Sequence, residues 1–201
     1  MLTLYTLLTP LPHAEVMKPF ALLLTLNLLP LAHAQMTMPG MNHGATMNGR
    51  LETLKGKAFD RTFLSMMIVH HQGAVDMSKT VLNTLKDAQV KRWTVEIISA
   101  QQKEIGEMNT WLGTLGGVDK SVQTEMTGEM KNMVTALKTN KDSDRGLVEG
   151  MLPHHASAID MASLALQKSS DSRVLGLAHD IIRSQADEMY AYRQWLIKRG
   201  F

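Results

Sequence analysis

The chain has 201 residues, with 21 Lys and Arg against 19 Asp and Glu, and no cysteine. A net charge near zero, without a run of five or more like charges, gives no electrostatic footprint for nucleic acid or anionic membrane. With no thiol there is no disulfide staple, so the fold must hold by packing alone. The anomaly is methionine: 16 residues, against 4 Phe, 3 Tyr and 3 Trp.

From Met17 the sequence reads as a short basic start, an apolar run interrupted by Asn27 and Pro30, and a small-residue end at Ala32-His33-Ala34. That is the layout of a secretory signal peptide. Residues 1–16 hold no Lys or Arg, so we expect a true start at Met17, a leader ending at residue 34 and cleavage after Ala34. The run is short of the ~20 residues that span a bilayer, and no stable membrane span is expected after cleavage. The mature chain would be Gln35–Phe201, exported to the periplasm or cell envelope and long enough for one domain.

Residues 35–50 contain Gly, Asn and Pro and show no apolar period, which predicts a flexible, Met-rich tail over residues 35–57. Its Met36, Met38, Met41, His43 and Met47 are candidate ligands for a soft metal ion. From about Ala58 to Leu85 apolar residues recur at helical spacing, with Phe63, Met67, Ala74, Met77 and Val81 on the face of His70 and with His71 at its edge. A second helix is expected to end at Gly116-Gly117 and has Glu104 amid Ile97, Gln101, Met108 and Trp111. A third covers about Ser121 to Lys138, with Met126, Met130, Met133 and Leu137 on one face. A fourth carries Leu147, Met151, His154, Ala158 and Met161 and is expected to kink at Pro153. A fifth follows Ser169-Ser170-Asp171, with Glu188 amid Leu177, Ile181, Gln185, Tyr192 and Trp195. No stretch alternates with period two, so strands are not expected.

The pattern M-x-x-H-H-x-x-A-x-D-M occurs twice, at Met67–Met77 and Met151–Met161, 84 positions apart. The same offset relates Ile97-Ile98 to Ile181-Ile182, Gln101 to Gln185, Glu104 to Glu188 and Trp111-Leu112 to Trp195-Leu196. The chain is a tandem duplication, with repeats over about 58–117 and 142–201. Two helical hairpins joined by a long crossover that holds an extra helix predict an all-α, ferritin-like four-helix bundle.

A carboxylate within an apolar face needs a partner, a proton or a metal. Three readings compete for Glu104 and Glu188 with His70 and His154: a buried His–Glu pair, a metal site of imidazole, carboxylate and thioether, and a dinuclear carboxylate centre. The last lacks the Glu-x-x-His spacing of di-iron bundles. Met67 and Met77 flank His70, and Met151 and Met161 flank His154. Thioether beside imidazole favours Cu(I), although a methionine stripe also serves as gap-filling core. Asp76 and Asp160 are read as structural, His179 as incidental, and Trp111 and Trp195 as core anchors.

The His-His block, followed by I-I-x-x-Q-x-x-E and W-L, resembles the exported bacterial family labelled domain of unknown function 305, over nearly all of residues 58–198 in both copies. The resemblance implies a ferritin-like bundle and, for some members, periplasmic copper binding and copper resistance. It points to Met67, His70, His71, Met77, Glu104, Met151, His154, His155, Met161 and Glu188 as ligands. The sequence departs from it at Val69, where the second copy has Pro153, and at Ala156-Ser157, where the first has Gln72-Gly73. The expectation is an exported protein that sequesters or hands on copper, Cu(I) first and Cu(II) second, with metal ions and a copper-delivery protein as partners. Two separable sites are expected, one per hairpin. The alternatives are a helical scaffold or partner-binding protein with buried His–Glu pairs and, third, a metal-dependent oxidase.

Overall fold

Aspartates set where four of the helices begin. Asp87 accepts from the amides of Gln89 and Val90, Asp119 from Ser121, Asp142 from Arg145 and Asp171 from Arg173. Each fills a donor that the first turn leaves unpaired. The computed structural model describes residues 43–201, with side chains from Asn48 onward. It contains α1 (His43–Thr53), α2 (Gly56–Val81), α3 (Ala88–Leu115), α4 (Lys120–Lys138), α5 (Ser143–Lys168) and α6 (Ser172–Lys198). Gly116 ends α3 in the left-handed region at φ 94°, with the Gly117 amide bonded to the Leu112 carbonyl at 2.8 Å, the close expected of this glycine pair.

Two apolar clusters divide the bundle along its length. One gathers Phe59–Ile68 positions of α2, Met108, Leu112 and Leu115 of α3, Ala158–Ala165 positions of α5 and Val174–Ile181 positions of α6. The other holds Ala74, Met77 and Val81 of α2, Val90 and Ile97 of α3, Leu147–Met151 positions of α5 and Tyr192, Trp195 and Leu196 of α6. Following each helix from one cluster to the other fixes its direction. Helices α3 and α5 run the same way, so α4 must travel the length of the bundle to connect them. That is the long crossover of a ferritin-like four-helix bundle formed by α2, α3, α5 and α6.

Two sequence expectations are corrected here. Residues 43–53 of the expected flexible tail form α1, whose Leu51 is fully buried in the first cluster. Lys168 Nζ binds the carbonyls of Leu51, Glu52 and Leu54 and so satisfies the end of this short helix. Helix α2 also stops at Val81, short of Leu85. Leu85 keeps the apolar spacing because it is buried, although it lies in the turn beyond the helix. Helix α5 continues through Pro153. No helix among the described residues is long and apolar enough to cross a membrane.

Candidate metal centre

Between the two apolar clusters lies a polar waist. Helix α2 contributes His70 and His71, α3 Gln101 and Glu104, α5 His154, His155 and Ser157, and α6 Gln185 and Glu188. All four histidines are buried, and so are both glutamines. Six buried polar side chains across the core are costly unless they are paired or bound.

The two His-His motifs meet here. His70 and His154 face each other with ring centroids 3.8 Å apart. His154 Nε2 donates to the His70 carbonyl at 3.1 Å. The outer histidines carry the carboxylates: His71 Nε2 is 2.6 Å from Glu104 Oε2, and His155 Nε2 is 2.6 Å from Glu188 Oε2. The first of these is an aligned hydrogen bond. The second is close without the alignment of one, and both atoms count as unpartnered by hydrogen-bond geometry.

This arrangement corrects two expectations. The periodicity set Glu104 with His70, but Glu104 is held by His71, and Glu188 by His155. Helix α2 packs against α3, α4 and α5 together, so its buried arc is wide, and a residue 100° from the stripe centre still faces a neighbour. The centres of the two repeats also lie in one layer rather than at separate levels of the bundle, because α2 and α5 cross at His70 and His154.

Hydrogen bonds fix the tautomers. The Ser157 hydroxyl donates to the His154 carbonyl at 2.8 Å and therefore accepts from His70 Nε2–H, also at 2.8 Å. His154 and His71 likewise donate from Nε2. Every Nδ1 of the four imidazoles is buried without a hydrogen-bond partner among the described residues. Burial, reinforced by the neighbouring imidazoles, holds His70 well below the ordinary histidine pKa and lowers His154 to about 3. Both are neutral, with a bare Nδ1 lone pair. A histidine whose outer N–H is tied to an oxygen while its other nitrogen is free has the arrangement of a metal ligand.

The flanking methionines follow the antiparallel crossing. Met67 and Met161 lie in one apolar cluster, and Met77 and Met151 in the other. Each cluster thus takes one of the motif methionines from each repeat. The Met77 methyl packs against Gly150, where a Cβ would stand 3.0 Å away, and Met161 lines a small cavity beside His70. Among the described residues no three His, Cys, Asp or Glu side chains converge as a ready-made shell. A hard, carboxylate-rich ion does not fit this waist, whereas a soft ion held by imidazole with thioether does. Asp76 and Asp160 are exposed, the former accepting from Gln72 at 2.8 Å. The tail candidates Met36, Met38 and Met41 lie outside the described residues, as do the expected signal segment and the side chains of His43 and Met47. Sequence reasoning passed over Ser157 and Tyr192 as site residues. The Tyr192 ring lies 5.7 Å from that of His155, and its hydroxyl is buried without a hydrogen-bond partner among the described residues.

The sequence matches the family Domain of unknown function (DUF305) over residues 30–112 and 69–196. The chain belongs to the DUF305 family. Among solved structures it is similar to CopM in its Cu(I)-bound form, at 32% identity and a TM-score of 0.60, covering 69% of this chain and 96% of that one. Cu(II)-bound, silver-bound and apo forms of CopM match equally well in fold. A DUF305 protein described as secreted, from Streptomyces coelicolor, matches at 24% identity and a TM-score of 0.62 over 72% of this chain and 94% of its own, which bears on fold alone. Uncharacterized protein L153 of Acanthamoeba polyphaga mimivirus is 45% identical over 53 residues, 26% of this chain and 35% of that protein.

Proposed function

We propose that this DUF305 protein is an exported copper-binding protein that sequesters copper or hands it on, without turnover, at the histidine waist. The observation that carries the reading is the set of four buried imidazoles with unpartnered Nδ1 atoms, between methionine-bearing layers. The likeness to CopM, solved with Cu(I), Cu(II) and silver, supports copper as the cargo. Met67, His70, His71, Met77, Met151, His154, His155 and Met161 are the proposed ligands. Glu104 and Glu188 orient His71 and His155 in this reading rather than binding the ion first. The methionine and imidazole donors favour Cu(I) over Cu(II), and low pKa values at His70 and His154 keep those nitrogens free of protons under mildly acid conditions. Copper titration of the mature chain, with His154→Ala beside it, tests this. Loss of bound copper in the variant is expected, and undiminished binding counts against the waist.

One observation favours a second reading, a scaffold held by His–Glu pairs: His71 and Glu104 already satisfy one another at 2.6 Å. Under that reading copper would not raise the melting temperature, whereas a ligand bound to the native state alone must. We also propose export by the Met17–Ala34 segment, with a mature start at Gln35. N-terminal sequencing of secreted protein that still carried earlier residues would refute the cleavage.

A further inference from the structure

The duplication leaves one side of the waist unexplained. Gly73 and Ser157 are equivalent positions, three residues after His70 and His154. At Ser157 the hydroxyl holds His70 Nε2. At Gly73 a Cβ would stand 2.4 Å from the sulfur of Met130, so a residue without a side chain lets α4 lay this thioether on α2, one turn from His70. Helix α4 belongs to neither repeat. It presents Met126 and Met130 one turn apart, and both are buried.

These thioethers border a cavity of about 20 Å³, which Asn48, His70, Glu129, Ser157 and Met161 also line. The volume suits one water-sized occupant. Asn48 Oδ1 is buried there without a hydrogen-bond partner among the described residues, and His70 Nδ1 is equally orphaned. Gap-filling methionine closes space, yet here three methionines from two helices leave a void beside two unpaired polar atoms.

We propose that this junction of α1, α2, α4 and α5 is a site for a single soft monovalent cation, Cu(I) or Ag(I), held by His70 with the thioethers of Met126, Met130 and Met161. The inference rests on the copper-binding reading and makes it unequal: the α4 side of the waist takes the monovalent ion, because three thioethers and an imidazole outnumber Glu129, the one carboxylate in the cavity lining, and favour a soft ion over harder divalent ones. Among the described residues α4 has no counterpart in the second repeat.

Silver(I) titration of the mature chain, read by intact-mass spectrometry and calorimetry, tests it. The double variant Met126→Leu/Met130→Leu keeps volume and apolarity. It should lose one silver ion, or bind it at least about tenfold more weakly, with Cu(II) uptake unchanged. Gly73→Ala should do the same from the other side by displacing the Met130 sulfur while favouring the helix. Full silver binding in both variants, with copper lost from His154→Ala, overturns this site and leaves the proposed function standing. A wild-type chain that takes up neither silver nor copper sinks both.

Discussion

His70 and His154 stand 84 residues apart in the chain and 3.8 Å apart, centroid to centroid, in the fold. Each is the other's nearest ring, and His154 also bonds the His70 backbone. Copper binding by the two motifs is therefore expected to be coupled. His70→Ala and His154→Ala should each disturb the same binding event, and the double variant should lose much less than the sum of the two. Independent, additive losses in copper titrations would restore two separate hairpin sites.

The two carboxylates should not be equal in stability. Glu104→Ala strands His71 Nε2–H in a fully buried position and should destabilise the apo protein by about 1–3 kcal/mol. Glu188→Ala should cost less, since its contact with His155 is not aligned as a hydrogen bond. Urea unfolding of both metal-free variants measures the difference; equal losses would refute the distinction.

Metal-free protein should weaken as pH falls from neutrality. His70 and His154 titrate below 6.5 in the fold but near that value when unfolded. The unfolded chain therefore binds more protons in this range, and stability drops as pH falls below 6.5, down to about 3 for His154. The slope is up to about 1.4 kcal/mol per pH unit for each histidine. Asp119 and Asp171, held low by Ser121 and Arg173 respectively, add their loss only below the ordinary aspartate value of 3.8. Melting temperatures across this range check the claim, and a flat profile above pH 4 would contradict it.

Helix α1 belongs to the fold, so Leu51→Ala should cost about 2–5 kcal/mol, the usual penalty for emptying a buried leucine site. Removing residues 35–42 should leave melting nearly unchanged. Thermal unfolding of the two proteins separates them; an unaffected Leu51→Ala would mean that α1 is not anchored.

Periodicity read the bundle well where a helix buries one face. The inward turn of His70 and His154, the capping at Asp171 and the stop at Gly116 were all legible from spacing and residue type. The partner of Glu104 was not, because α2 is covered on three sides and hides His71 as fully as His70. Helix α1 was missed for the opposite reason. HGATMNGRLET carries few apolar residues, two glycines and an asparagine, too little for a stripe, so its order comes from Leu51 packing and the Lys168 bonds, made by a residue over 110 positions away. The contact of Met130 with Gly73 is equally silent in sequence, since α4 lies outside the repeat that revealed the rest.

In the crossing of α2 with α5 a motif meets its own copy, which in a homodimer would be called an isologous contact. The chain is built as a dimer of hairpins carried on one polypeptide. Fusion has two consequences that a true dimer cannot share. Its assembly does not depend on protein concentration, so the histidine stack survives dilution. Its halves are also free to diverge, and Gly73 opposite Ser157 is a place where they have.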